Sequence, residues 1–147
     1  MDNIRIYLDL CCYNRPYDDQ DFFPVYLETQ AKLKIQQGIK DELFTLVWST
    51  MIDYENNYNT DKVISQEIFR WRERARIIIH QSNAVIEKAL HFQKIGIHSK
   101  DAVHLACAVA GNALYFITTD KGILKKNYFI NEIRIINPAD FIKIMEE

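Results

Sequence analysis

Ser99-Lys-Asp-Ala-Val-His-Leu-Ala-Cys-Ala-Val-Ala-Gly111, followed by Leu114-Tyr-Phe-Ile-Thr-Thr-Asp120, is the stretch from which the fold can be read. From Ala102 to Ala110 only His104 is polar. A helix that is apolar all round lies inside a domain. Ser99 is placed as its N-cap, with Asp101 in the first turn, and Gly111-Asn112 as the turn that ends it. Tyr115, Phe116 and Ile117 form a short β-favouring run, as expected for a strand covered on both faces. Asp120 stands where that strand stops. Read singly, each acid has an ordinary use: Asp101 favours the positive end of a helix, and Asp120 can cap a short helix over Lys121 to Lys126.

The rest of the chain repeats the alternation. Ile4 to Leu10 reads as a central strand interrupted by Asp9, and a lone carboxylate in such a strand needs a partner. Tyr13 to Gln20 reads as a loop, Asp21 to Gln37 as a helix stopped by Gly38, and Leu43 to Trp48 as a second strand. Ser49 caps a helix to about Tyr58, and Asp61 opens a long Arg-bearing helix to about Ile78. Ser82 caps another, which ends near Lys94 or Ile95 before Gly96. Ile133 to Ile136 is a last strand, and Pro138 starts a final short helix. Strands alternating with helices predict a parallel sheet covered on both sides, with every strand C-terminus on one edge. Open α/β sheets bind ligands at that edge. Topology alone brings Asp9, Asp101 and Asp120 there.

Helix angles add a fourth acid. On the helix after Ser49, Glu55 falls about 40° from Met51, inside the apolar face, while Asp53 falls about 200° away on the opposite side. Glu55 therefore needs a partner, either a bound group or an inward salt bridge to an arginine.

Composition bounds the function. The chain has 147 residues, enough for a single domain, with 48% apolar and 26% charged residues and a net charge of −2. No overall field favours nucleic acid, so binding must come from local patches. The three cysteines include adjacent Cys11 and Cys12 but no CxxC or CxxxH spacing, which speaks against zinc and fits a reducing cytoplasm. Asp2, Arg5 and Asp9 exclude a signal peptide at the N-terminus, and no apolar run is long enough for a membrane span. No P-loop or GxGxxG occurs, and Asp9-Leu10-Cys11 lacks the second acid of a DxD phosphatase motif.

First-strand Asp9, the segment Ser49 to Glu55, the helix start Asp101-Ala-Val-His-Leu-Ala and the strand end Thr118-Thr119-Asp120 together resemble a PIN domain, in order and spacing from Ile4 to about Ile136. The resemblance implies a three-layer α/β/α sandwich around a parallel sheet of four or five strands. It also implies Mg²⁺- or Mn²⁺-dependent ribonuclease chemistry, most often in the toxin of a toxin–antitoxin pair, with an antitoxin partner and a homodimer. Asp9, Glu55, Asp101 and Asp120 are the implied acidic quartet, and Thr119 is the implied hydroxyl behind the last acid. The alternative is a PIN-fold RNA- or protein-binding module with little activity.

The residues support that chemistry independently. Clustered carboxylates raise one another's pKa values, and a hard divalent cation resolves the repulsion through oxygen ligands. Asp9, Asp120 and Asp101 are the expected ligands; Glu55 either ligates or orients a water. Arg15, Lys121, Lys125 and Lys126 lie where they could hold phosphates or be plain surface. Arg70, Arg72, Arg74 and Arg76 with Glu67 and Glu73 read as an ion-paired helix. Tyr13, Tyr17 and Trp71 read as core or rim, and His104 and Cys107 as core.

Overall fold

The computed structural model describes residues 3–147. Five strands, β1 Ile4–Leu8, β2 Phe44–Ser49, β3 Ile77–Ile79, β4 Tyr115–Ile117 and β5 Arg134–Ile136, form one all-parallel sheet in the order β3-β2-β1-β4-β5. The helices are α1 Leu10–Asn14, α2 Phe23–Lys40, α3 Thr50–Asn56, α4 Lys62–Phe69, α5 Asn83–Lys94, α6 Ser99–Ala110, α7 Lys121–Leu124 and α8 Pro138–Glu146. Side chains alternate across the pleat. Phe44 and Tyr115 both meet Phe141 of α8 edge-on, with ring centroids 5.2 Å apart. Trp48 meets Tyr13 in the same way at 5.4 Å. On the opposite face Tyr7 stacks on Phe116 and turns an edge to His104 of α6. Helices α2 and α8 thus cover one face and α5 and α6 the other. Burial on both faces explains the unbroken apolar runs Ile6–Leu8 of β1 and Tyr115–Ile117 of β4.

Several boundaries differ from the sequence reading; the loop expected from Tyr13 opens inside α1 and continues as a 3₁₀ turn over Arg15–Tyr17. The first strand stops at Leu8, because Asp9 leaves the sheet and caps α1, accepting the Leu10 N–H at 2.9 Å. Gly38 does not stop a helix; α2 continues to Lys40. A Cβ at Gly38 would lie 2.4 Å from the Phe44 ring, so glycine serves the close approach of α2 to β2. The Arg-bearing segment is not one helix. α4 ends at Phe69, a 3₁₀ turn spans Arg70–Arg74, and Ala75 turns extended so that Ile77–Ile79 pairs with Val47–Ser49. Helix α6 begins at Ser99 itself, and its N-cap His98 makes no side-chain cap bond. No helix among the described residues is long and apolar enough to cross a membrane.

One core residue is out of character. Lys32 of α2 is buried beside the Tyr13 ring, has no carboxylate partner among the described residues, and burial pushes its amine down to about 8. A folded-state pKa below the unfolded one means that the unfolded chain binds more protons between the two. The penalty is therefore full below pH 8 and disappears as pH rises towards the unfolded value. Lys32→Met, which keeps the stem and removes the charge, is expected to raise Tm at pH 7 by roughly 5 °C, with the gain shrinking by pH 10. Thermal melts across that range measure it.

Candidate active site at the C-terminal edge of the sheet

β1 and β4 are neighbours whose chain connections leave in opposite directions, which makes the gap beyond their C-termini the switch point of the sheet. Asp9 follows β1 there. It is buried, with Oδ1 accepting from Leu10 N–H and Oδ2 accepting from the Thr118 hydroxyl at 2.8 Å and, more weakly, from the Cys11 thiol at 3.5 Å. Thr118 Oγ1 also accepts the Asp120 N–H at 3.1 Å. The hydroxyl that orders the acids is therefore that of Thr118. Thr119, the sequence choice, contributes its N–H to Cys11 Sγ at 3.4 Å and has no side-chain hydrogen bond among the described residues. The two-residue period holds the signal. Positions 116, 118 and 120 share a face with Tyr7 and Asp9, and position 119 points the other way.

Asp120 caps α7, its Oδ1 accepting from Gly122 N–H at 2.8 Å and Ile123 N–H at 3.2 Å. The plain capping role is thus real, and it fixes one oxygen while leaving Oδ2 unbonded among the described residues. Asp101, in the first turn of α6, makes no side-chain hydrogen bond among those residues. Its carboxyl is pushed up to about 6, by burial first and then by the negative charges of Asp9, Asp120 and Glu55, with His104 acting the other way. Neighbouring anions at this end of the sheet thus outweigh the nearby His104.

Glu55 reaches the same end of the sheet from α3. Its Oε1 meets His104 Nε2 at 2.5 Å, so its partner is a histidine and not an arginine. Burial raises the Glu55 pKa, but the His104 bond and charge, with Lys100, hold it below the usual carboxylate range. Burial lowers the His104 pKa, but the bond to Glu55 and the charges of Asp9, Glu55 and Asp101 raise it overall. Asp53 points away, as its helix angle requires, yet it is no free surface group. It accepts from Trp48 Nε1 at 2.9 Å and from Arg72 Nε at 3.3 Å.

Two openings flank these acids. One, about 460 Å³, is lined by Asp101 and Asp120 together with His98, Lys125, Lys126 and Phe129. Neither lysine forms a salt bridge among the described residues. Lys126 Nζ lies 5.8 Å from the Phe129 ring centre. Gly96, at φ 94°, leaves it room, since a Cβ there would come within 2.9 Å of that ammonium. The second opening, about 520 Å³, includes Glu55, Tyr17, Tyr58, Asn59 and Asp61. Lys121 is exposed and lines neither opening. Arg15 is already spent on Asp18 at 2.8 Å and Glu28 at 3.1 Å, which removes it as a phosphate ligand. Arg70, Arg72 and Arg76 are likewise paired, with Glu67, Asp53 and Glu42.

The donor set suits a hard divalent cation: carboxylate oxygens, unbonded on Asp101 and on one side of Asp120. Among the described residues no three His, Cys, Asp or Glu side chains stand close enough to form a ready-made cage. The four carboxylates share one end of the sheet without being drawn into a preformed cage.

No family model matches the sequence, and no curated protein matches it. Solved structures do. A chain in the crystal structure of VapBC2 from Rickettsia felis bound to a DNA fragment from their promoter superposes with a TM-score of 0.56. The superposition covers 91% of this chain and 98% of that chain, at 17% sequence identity, a likeness of fold. Five parallel strands between two helical layers, over nearly the full length of both chains, are the PIN-like α/β/α architecture that the sequence resembles.

Proposed function

We propose that this chain is a metal-dependent endoribonuclease of PIN type, acting as the toxin of a toxin–antitoxin pair. The observation that carries the reading is the convergence of Asp9, Glu55, Asp101 and Asp120 on one end of the sheet, beside an opening that Lys125 and Lys126 also line. A binding module has no use for four acids gathered at one end of the sheet. Asp9, Asp101 and Asp120 would hold Mg²⁺ or Mn²⁺. Such an ion polarises a phosphoryl oxygen, acidifies water and neutralises the leaving oxygen.

The chain's own groups do the rest. Lys125 and Lys126 bind backbone phosphates of single-stranded RNA, and the exposed Phe129 ring offers a stacking face to a base. Thr118 holds Asp9 in one orientation, and the α7 N–H groups do the same for Asp120. Glu55, kept ionised, orients the attacking water and takes its proton as the water oxygen bonds to phosphorus. The bond from phosphorus to the leaving ribose oxygen breaks, and that oxygen collects a proton from solvent. An antitoxin partner is supported by the assembly in which the similar fold occurs and by the exposed Phe22, Phe23, Tyr26 and Leu27 at the start of α2.

Purified protein is expected to cleave a fluorescent single-stranded RNA with Mg²⁺ or Mn²⁺ and to stop in EDTA. Its expression should arrest growth, and Asp120→Asn should relieve the arrest. Equal cleavage in EDTA would overturn the metal mechanism. Cleavage in vitro with harmless expression would make the chain a processing nuclease.

A further inference from the structure

We infer that His104 is a positioning residue for Glu55, held in place by a buried relay that runs through Tyr7 to Ser49. The inference rests on the nuclease reading only for what Glu55 does, not for how it is held. Tyr7, Ser49 and His104 are all essentially inaccessible to solvent. His104 Nε2 meets Glu55 Oε1 at 2.5 Å, Nδ1 meets the Tyr7 hydroxyl at 2.6 Å, and that hydroxyl meets Ser49 Oγ at 2.6 Å. Ser49 Oγ in turn accepts the Ile52 N–H at 3.3 Å and so caps α3, the helix that carries Glu55.

With Glu55 ionised, Nε2 donates to it in either protonation state of the ring; in the imidazolium Nδ1 donates to the Tyr7 oxygen, and in the neutral imidazole Nδ1 accepts. In the neutral form Tyr7 donates to Nδ1 and its oxygen accepts from Ser49; in the imidazolium Tyr7 donates to Ser49; in both, Ser49 keeps a lone pair for the Ile52 N–H. Every polar atom of this buried set has a partner in both arrangements, and Nε2 donates to Glu55 in each. The relay ties together β1, β2, α3 and α6, the elements that carry Asp9, Glu55 and Asp101. A glutamate side chain is long and flexible. Pinning Oε1 to a buried ring removes that freedom and leaves Oε2 for the opening that Glu55 lines. His104 touches neither opening, which is why its role is to orient another group.

Three variants and one spectrum test this. His104→Leu is expected to lower kcat 10- to 100-fold, the usual range for an orienting partner, while KM and Mn²⁺ affinity by calorimetry stay within about threefold. His104→Gln, which can still donate to Glu55, recovers most of the lost kcat. Tyr7→Phe keeps the stack on Phe116, frees Nδ1 and lies between the two. In ¹⁵N-histidine NMR the His104 Nε2 resonance is expected to move in Glu55→Gln and the Nδ1 resonance in Tyr7→Phe. A folded His104→Leu protein with wild-type kcat overturns the inference. So does a loss that Gln fails to rescue, with Mn²⁺ affinity falling alongside, and so does a His104 spectrum blind to both substitutions. If the wild-type protein cleaves no RNA, the nuclease reading fails, and the spectrum alone then decides whether His104 holds Glu55.

Discussion

Asp101→Asn is expected to act in opposite directions on activity and on metal-free stability. A lost metal ligand forfeits several kcal/mol of charge stabilisation in the transition state, so kcat should fall by ~10³-fold. Stability goes the other way. The folded carboxyl sits at about 6 because burial and the neighbouring Asp9, Asp120 and Glu55 charges disfavour its ionised form. Between the ordinary carboxylate range and that value the native state binds the extra proton. Wild-type stability therefore falls as pH rises through that window and stays reduced above it. Asparagine carries no such penalty. In EDTA at pH 7 the variant should melt a few degrees above wild type, and near pH 4 the difference should vanish. Saturating Mg²⁺ should reverse the order, since only the intact site gains binding free energy. Calorimetric melts at two pH values with and without Mg²⁺ measure all three effects. A variant that melts below wild type in EDTA at pH 7 would show that Asp101 is stabilised by its surroundings, not strained by them.

Glu55→Gln and Asp53→Asn separate chemistry from architecture in one helix. Both remove one negative charge within three residues of chain. Glu55→Gln is expected to cost ~10²-fold in kcat, because a neutral amide cannot take the proton of the attacking water. Asp53→Asn leaves the Trp48 Nε1 bond an acceptor but ends the ion pair with Arg72, both partners being half-buried. It should cost about 1 kcal/mol of stability, a Tm loss of a few degrees, with kcat near wild type. Steady-state cleavage and melting curves on both variants check the pair. An inactive Asp53→Asn beside an active Glu55→Gln would move the fourth acid to position 53.

The alternation of strands and helices was legible because parallel strands buried on both faces are apolar throughout, as in Tyr115-Phe116-Ile117. The edge strand β3 was not. Its three isoleucines follow a segment with helical arginine spacing, and only pairing with Val47–Ser49 decides that they extend. Gly38 was misread for a related reason. A glycine inside a helix and one that ends it look alike until Phe44 arrives against it. At the site, helix angles place Glu55, and parallel topology places Asp9, Asp101 and Asp120, at the edge. Distinguishing Thr118 from Thr119 needed the two-residue strand period as well. Arg15 shows the limit: its position beside Asp9 was legible, but its capture by Asp18 and Glu28 depends on how α2 folds back. The Tyr7–His104–Glu55 relay lies at separations of 97 and 49 residues, with no local pattern to mark it.

The most direct test of the central claim is an anomalous difference map from crystals soaked in Mn²⁺, collected near the manganese edge. The expected result is a peak bounded by carboxylate oxygens of Asp9, Asp101 and Asp120, and no peak there in Asp120→Asn crystals. Strong manganese peaks elsewhere on the molecule, with none between these three acids, would contradict it.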